Sequence, residues 1–244
     1  MYEMKRTVTY SQVGSTLSMD MAGIVHFLQD CTLAHSESIG KGISHVKEHR
    51  KAWFLSSWQI EVERFPGYQE NVTVRTWPYE FKSMYGYRNF DILDENANPI
   101  VRANSIWIFM DIERMLPIRP TEEDMRGYEL YKAIEMKYAP RKIKQLDPEY
   151  RIAYCSDTDS VLPKIKVRRS FIDSNNHVNN GRYVMEGLDL IEQDDIRKLR
   201  VDYRKAAMLG DIIYPSIYKN EYVTQIVLND ADDNPYVLLE VEKE

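Results

Sequence analysis

Cysteine is scarce in this 244-residue chain: Cys31 and Cys155 are its two, and neither has CxxC or CxxH spacing. A disulfide-stapled scaffold is excluded, and no redox or metal centre is suggested. Nor does any stretch approach the roughly 18 to 20 apolar residues of a membrane-crossing helix. The opening Met1-Tyr2-Glu3-Met4-Lys5-Arg6-Thr7 runs directly into an alternating pattern, without an apolar leader or an Arg/Ser-rich transit segment. Positive charge is also in deficit, with 32 Lys and Arg against 38 Asp and Glu, a net charge of -6. The basic field that neutralises a phosphate backbone is therefore missing from the chain as a whole. These absences lead us to expect a cytoplasmic protein with reduced thiols, no membrane insertion and no nucleic-acid partner.

What the chain does hold is apolar pattern, and 43% hydrophobic residues suffice for a continuous core. Residues 20–37 predict a helix, with Met21, Ile24, Val25, Leu28, Cys31 and His35 on one stripe behind Ser18 as N-cap. His45 and His49 fall in what reads as a charged loop. Four runs rich in Val, Ile, Trp and Tyr follow at residues 52–64, 70–79, 83–93 and 100–110 and predict strands. The same order then returns: a strand at 165–171, a polar loop, a helix at 179–193 with Val184, Gly187, Leu188 and Ile191 on one face, and strands at 199–205, 211–218, 221–228 and 236–241.

Residue pairs point to an internal duplication as well. Ile60-Glu61-Val62 lines up with Val201-Asp202-Tyr203 at an offset of 141 (201 minus 60), after which Glu70 meets Asp211 and Val72 meets Ile213 without a gap. Asn98-Pro99 and Asn234-Pro235 each read as a turn leading into a strand whose first residue is Pro, which cannot donate to a ladder. Between the copies, Pro117, Pro120, Pro140, Pro148 and Pro163 mark a linker. In it, Thr121 followed by Glu122, Glu123 and Asp124 predicts a helix start, and the polarity of 129–137 an outer helix. The expected organisation is a first domain over 1–115, a linker with a surface helix over 116–159 and a second domain over 160–244. A long helix against an antiparallel sheet, twice, makes the class α+β. Trp53, Trp58, Trp77, Trp107, the seventeen tyrosines and the eleven methionines would suit an apolar ligand, but read more simply as core.

The stretch from Asp173 to Tyr183 places a carboxylate (Asp173), a carboxamide (Asn175) and an imidazole (His177) at alternate positions between a predicted strand and helix. An extended loop would project all three to one side. Asp173 could then orient one ring nitrogen of His177 while the other handles a proton, and Asn175 could donate to a developing oxyanion. Free backbone amides at 178–181, around Asn179 and Asn180, would add to that oxyanion site. The plainer reading is that Asp and Asn only build the turn and cap the helix. No ligand spacing links His26, His35, His45 and His49, so no metal is expected.

Asp173-x-Asn175-x-His177-Val178-Asn179-Asn180-x-x-Tyr183 resembles the signature of acyl-acyl-carrier-protein thioesterases, plant and bacterial enzymes that end fatty acid synthesis. Ser105 to Asp111 resembles the end of their first domain. The resemblance implies a double hotdog fold, with Asp173, Asn175 and His177 catalytic. It implies hydrolysis of a fatty acyl thioester on phosphopantetheine of an acyl carrier protein, without a cofactor. An acidic carrier gives a role to Lys164, Lys166, Arg168 and Arg169, which lead into the loop, ahead of a second cluster at Arg141, Lys142 and Lys144; both also read as ordinary solvated charges. The oligomeric state stays open, a homodimer included, because duplication supplies the pairing that single hotdogs obtain by dimerising.

One departure stands out. The family usually carries a Glu after a Tyr-x-Lys/Arg strand, whereas Tyr203-Arg204-Lys205 runs into Ala206 and Ala207. Asp173 or His177 could activate water, or Asp173 could attack the thioester and form an anhydride. Glu186 could supply the carboxylate, although it reads as an exposed i,i+4 partner of Arg182. Acyl-CoA thioesterase and non-enzymatic acyl-chain binding remain the alternative functions.

Overall fold

The computed structural model describes residues 1–152, 162–192 and 196–243, so Cys155 lies outside the described residues. The chain divides into two compact units, Met1–Ala139 and Pro140–Glu244. Unit 1 runs β1 (Tyr2–Thr7), α1 (Met21–Ser38), α2 (Ile43–His49), β2 (Lys51–Val62), β3 (Asn71–Lys82), β4 (Tyr85–Leu93), β5 (Pro99–Asp111), β6 (Leu116–Pro117) and α3 (Glu122–Met125). Its strands pair antiparallel in the order β1-β3-β4-β5-β2, with β6 on the end of β5. Unit 2 holds β7 (Arg151–Ile152), β8 (Ile165–Lys166), α4 (Asn180–Leu188), β9 (Ile196–Tyr203), β10 (Ile212–Lys219), β11 (Thr224–Asn229) and β12 (Pro235–Lys243). Here the antiparallel order is β9-β12-β11-β10, and both β7 and β8 pair with β10. Both units are α+β, and among the described residues no helix is long and apolar enough to cross a membrane.

In unit 1 the stripe read from the sequence is the face α1 buries: Ile24, Val25, Leu28 and Cys31 are fully covered. Burying a side chain of that size contributes about 1.5–3 kcal/mol. The helix starts two residues later than Ser18 suggested, because the Asp20 carboxylate accepts the Gly23 amide at 2.7 Å and acts as N-cap. His45 and His49 lie in a helix, α2, rather than a loop; Arg50, left-handed at φ 54°, ends it. In unit 2, α4 packs its Gly187 face on β12 and β11, where a Cβ would meet Leu239 at 3.0 Å and Ile226 at 3.8 Å. This close approach is why the helix carries a glycine there.

The expected helix over 129–137 is absent. Side chains of the sheet engage that segment's backbone instead: Trp77 Nε1 donates to the Lys132 carbonyl, Asn89 Oδ1 accepts from the Ile134 amide, and Gln59 bonds both the Lys137 carbonyl and the Ala139 amide. These contacts satisfy the backbone groups that a helix would have paired internally. The capped start at Thr121 does form, as the single turn of α3.

The duplication extends to matching turns. Asp94 Oδ1 accepts the amides of Asn96 and Asn98 at 2.9 and 2.8 Å, and Asp230 Oδ1 those of Asp232 and Asn234 at 2.9 and 2.8 Å. Ala97 and Asp233 are left-handed at φ 62° and 57°, and Pro99 and Pro235 open their strands as read from the sequence.

Unit 1 also buries a cation. Arg88, 6% exposed, donates from Nη1 to His35 Nδ1 at 2.9 Å and to Thr76 Oγ1 at 3.1 Å, with the Tyr128 ring 5.8 Å away. That geometry requires a neutral His35 with its proton on Nε2. Burial first, and the Arg88 charge second, push His35 down to about 4. An unfolded histidine titrates near about 6.5, so the unfolded state takes up protons first on acidification. The stability is present above about 6.5 and is lost as pH falls toward 4. His35→Gln, which keeps an acceptor for Arg88, is expected to flatten the fall of Tm over that window, measured by thermal melts at a series of pH values.

Candidate active site

The polar loop of unit 2 is a closed turn, not an extended strand. Ile172 and Val178 form an antiparallel bridge, the Asp173 amide donates to the His177 carbonyl at 2.8 Å, and Asn176 sits left-handed at φ 63°. The Asp173 carboxylate points back into the turn: Oδ1 accepts the Asn175 amide at 2.8 Å and the His177 amide at 3.3 Å. The expected bond from this carboxylate to the His177 ring is not formed. An aspartate followed by two free amides closes an Asx turn more readily than it reaches a side chain four residues on. Asp173, Asn175 and His177 are thus joined through backbone. Asn175 is exposed and His177 half-buried, and among the described residues the imidazole has no hydrogen-bond partner.

The loop hands over to α4 through Asn179, whose Oδ1 accepts the Gly181 amide at 2.9 Å as N-cap. The amides expected to be free are mostly engaged: Val178 donates to the Ala207 carbonyl at 3.1 Å and Asn179 to the Phe171 carbonyl at 2.8 Å. Of residues 178–181, Asn180 alone keeps an amide without a partner among the described residues.

Two tyrosines frame the loop. Tyr183, 2% exposed, accepts the Ala207 amide on its hydroxyl at 2.7 Å, and Tyr203 donates to the Asn180 carbonyl at 3.0 Å. Burial raises both phenols above their ordinary range, so they remain hydroxyls. The motif assigns Tyr183 no role of its own; its spacing four residues past the N-cap puts it on the buried face, with its tip facing the 206–207 segment. Tyr183→Phe leaves the buried Ala207 amide unpaired and is expected to cost about 1–3 kcal/mol in urea unfolding.

Ala206 is exposed and brings no carboxylate. Glu186 pairs with Arg182 at 2.7 Å, but with 19% of its side chain accessible it is half-buried rather than exposed. The Arg182 guanidinium also lies 4.2 Å from the Phe171 ring centroid. Glu186 is therefore committed to a cation that is itself packed against the loop. Lys164, Lys166, Arg168 and Arg169 are exposed, and none has a carboxylate partner among the described residues. In the second cluster, Lys142 lies 3.7 Å from the buried carboxylate of Asp202.

Two copies of a helix laid on an antiparallel sheet, the second with a His/Asn/Asp turn at its helix N-terminus, define a tandem α+β protein with a candidate hydrolytic site in its second unit. Residues 1–128 match the acyl-ACP thioesterase N-terminal domain, and residues 154–236 the C-terminal domain of the same family. The chain belongs to the acyl-ACP thioesterase family. It is 26% identical over 253 residues to the chloroplastic oleoyl-acyl carrier protein thioesterase 2 of Arabidopsis thaliana, covering 93% of this chain and 65% of that protein. To the chloroplastic acyl-[acyl-carrier-protein] hydrolase FATB2 of Cuphea viscosissima it is 25% identical over 209 residues, covering 80% of this chain and 49% of that one. The chain thus spans between about half and two thirds of the length of these relatives. The fold is shared with an acyl-ACP thioesterase from Bacteroides thetaiotaomicron, at TM-score 0.83 and 20% identity over 99% of this chain and 97% of that one. A 12:0-ACP thioesterase from Umbellularia californica superposes at TM-score 0.82 and 16% identity, over 100% and 96% of the two chains.

Proposed function

We propose that this protein is an acyl-acyl-carrier-protein thioesterase of fatty acid biosynthesis, which hydrolyses a fatty acyl thioester to the free acid and the carrier thiol. The observation that carries the reading is the His177 turn, seated at a helix N-terminus in a chain that matches both family domains in order. Water attacks the thioester carbonyl and gives a proton to the His177 imidazole. The Asn175 carboxamide and the Asn180 amide donate to the oxyanion. Collapse expels the thiolate, which takes the proton back from His177. Asp173 acts through the backbone, fixing the residues that carry the amide and the imidazole, and no cofactor enters. The two units are read as tandem hotdog domains. A cytoplasmic setting completes the reading, in keeping with the buried free thiol of Cys31.

The test is thiol release from acyl-carrier-protein and acyl-CoA thioesters of several chain lengths. Release favouring the carrier substrates is the expected result. Equal release from CoA esters makes this an acyl-CoA thioesterase, and acyl binding without release from any substrate makes it a binding module whose lost carboxylate at Ala206 is decisive.

A further inference from the structure

The duplication supplies an internal comparison for the ground around the site. The loop of unit 1 repeats most of the backbone hydrogen bonds of the loop of unit 2, at an offset of 159 (172 minus 13). Val13 bridges Met19 as Ile172 bridges Val178; Gly14 donates to Ser18 as Asp173 does to His177; Leu17 is left-handed at φ 55° as Asn176 is at 63°. Met19 donates to the Pro66 carbonyl as Val178 does to that of Ala207, and Val8 to Glu70 as Val167 to Asp211. Matching backbone hydrogen bonds with different side chains isolate what the two copies do not share. Gly14, Thr16 and Ser18 stand where Asp173, Asn175 and His177 do, and Lys5, Thr7, Thr9 and Tyr10 where Lys164, Lys166, Arg168 and Arg169 do.

A third difference lies in the turn that connects these two segments. Residues 207–211 are hydrogen-bonded on one side to the His177 loop, through Val178 to Ala207, and on the other to the basic segment, through Gly210 to Val167 at 3.2 Å and Val167 to Asp211 at 2.9 Å. Ile212 pairs with Lys166. On this turn Met208, Leu209 and Ile212 are 45%, 54% and 42% exposed. Gly67, Tyr68 and Asn71 hold the corresponding places in unit 1, so only one of the three is apolar there. Exposed Met and Leu beside exposed cations that have no carboxylate partner among the described residues, Lys164 lying 5.0 Å from the Tyr214 ring centroid, form a patch opposite in sign to the net charge of -6 of the chain as a whole.

We propose that Met208, Leu209 and Ile212, bordered by Lys164, Lys166 and Arg168, are the docking surface for the acyl carrier. The partner it fits is an acidic protein face with apolar side chains at its centre, whose prosthetic arm is thereby delivered to the His177 turn. This rests on the thioesterase reading above. The cations steer the encounter and set its salt dependence, while the apolar turn supplies the part that excludes water. The carrier docks on unit 2 alone.

The experiment compares one acyl chain presented on the carrier and on free pantetheine. In Lys166→Glu/Arg168→Glu, and separately in Met208→Ser/Leu209→Ser, the ratio of kcat/KM for carrier over pantetheine is expected to fall about tenfold or more, and the charge-reversed pair to lose the salt dependence. Lys5→Glu, at the matching place in unit 1, leaves the ratio as it is. A ratio unchanged in both double variants overturns the proposal. Binding of the unacylated, pantetheine-bearing carrier to His177→Ala protein separates this from the catalytic reading. Binding that both double substitutions weaken supports the surface even if no thioester is cleaved, and binding indifferent to them overturns it.

Discussion

Replacing His177 with alanine is expected to lower kcat for thiol release from an acyl-carrier substrate by about 10²–10⁴-fold, the usual contribution of a positioned acid-base group. The side chain is half-buried and has no partner among the described residues, so its removal breaks no hydrogen bond of the turn. The His177 amide and carbonyl, which do hold the turn, are retained in the variant. Tm should therefore stay close to that of the parent while turnover collapses. Full activity in His177→Ala, measured by thiol release, would remove the proposed mechanism.

Asp173 should divide its two variants. Asp173→Ala takes away the acceptor of two loop amides, and a displacement of the loop by about 1 Å is enough to cost on the order of 10²-fold in rate. Asp173→Asn keeps an oxygen where Oδ1 accepts the Asn175 and His177 amides, so it should retain most of the activity. The comparison also tests direct attack. A nucleophilic Asp173 that forms an anhydride needs its carboxylate, and then the Asn variant would be as inactive as the Ala variant. Steady-state kcat for the two proteins, with KM reported alongside, decides between them.

The sheets were legible in the sequence because their strands are long and rich in Val, Ile and aromatic residues, and the Asn-Pro pairs marked where β5 and β12 begin. Helix α1 was legible from its apolar stripe. What the pattern did not carry was anything decided by a side chain reaching for backbone. Asp20 rather than Ser18 caps α1, and Asp173 turns inward to two amides although its spacing suggested a partner for His177. Polar composition over 129–137 resembled a surface helix, but the bonds from Trp77, Asn89 and Gln59 lie more than 40 residues away in sequence and no local window contains them. The twin of the His177 loop is illegible in the sequence for the opposite reason. Gly14, Thr16 and Ser18 share no chemistry with Asp173, Asn175 and His177, and the likeness resides in carbonyl partners and one left-handed residue.

Two glutamines described by their bonds have a bearing on how the family's sequences can drift. Gln59 bonds the Lys137 carbonyl and the Ala139 amide at 2.8 Å each, and Gln225 does the same to Lys144 and Leu146 at 3.0 and 2.8 Å. Each carboxamide imitates one residue of a neighbouring strand, offering a donor and an acceptor to positions two apart. A segment held in this way by its main chain puts few demands on the side chains it exposes, whereas Ile143, 3% exposed among Tyr218, Val227 and Leu238, stays tied to the core. The constraint is displaced onto Gln59 and Gln225, where glutamate, isosteric but lacking the donor, is the substitution that selection should remove first.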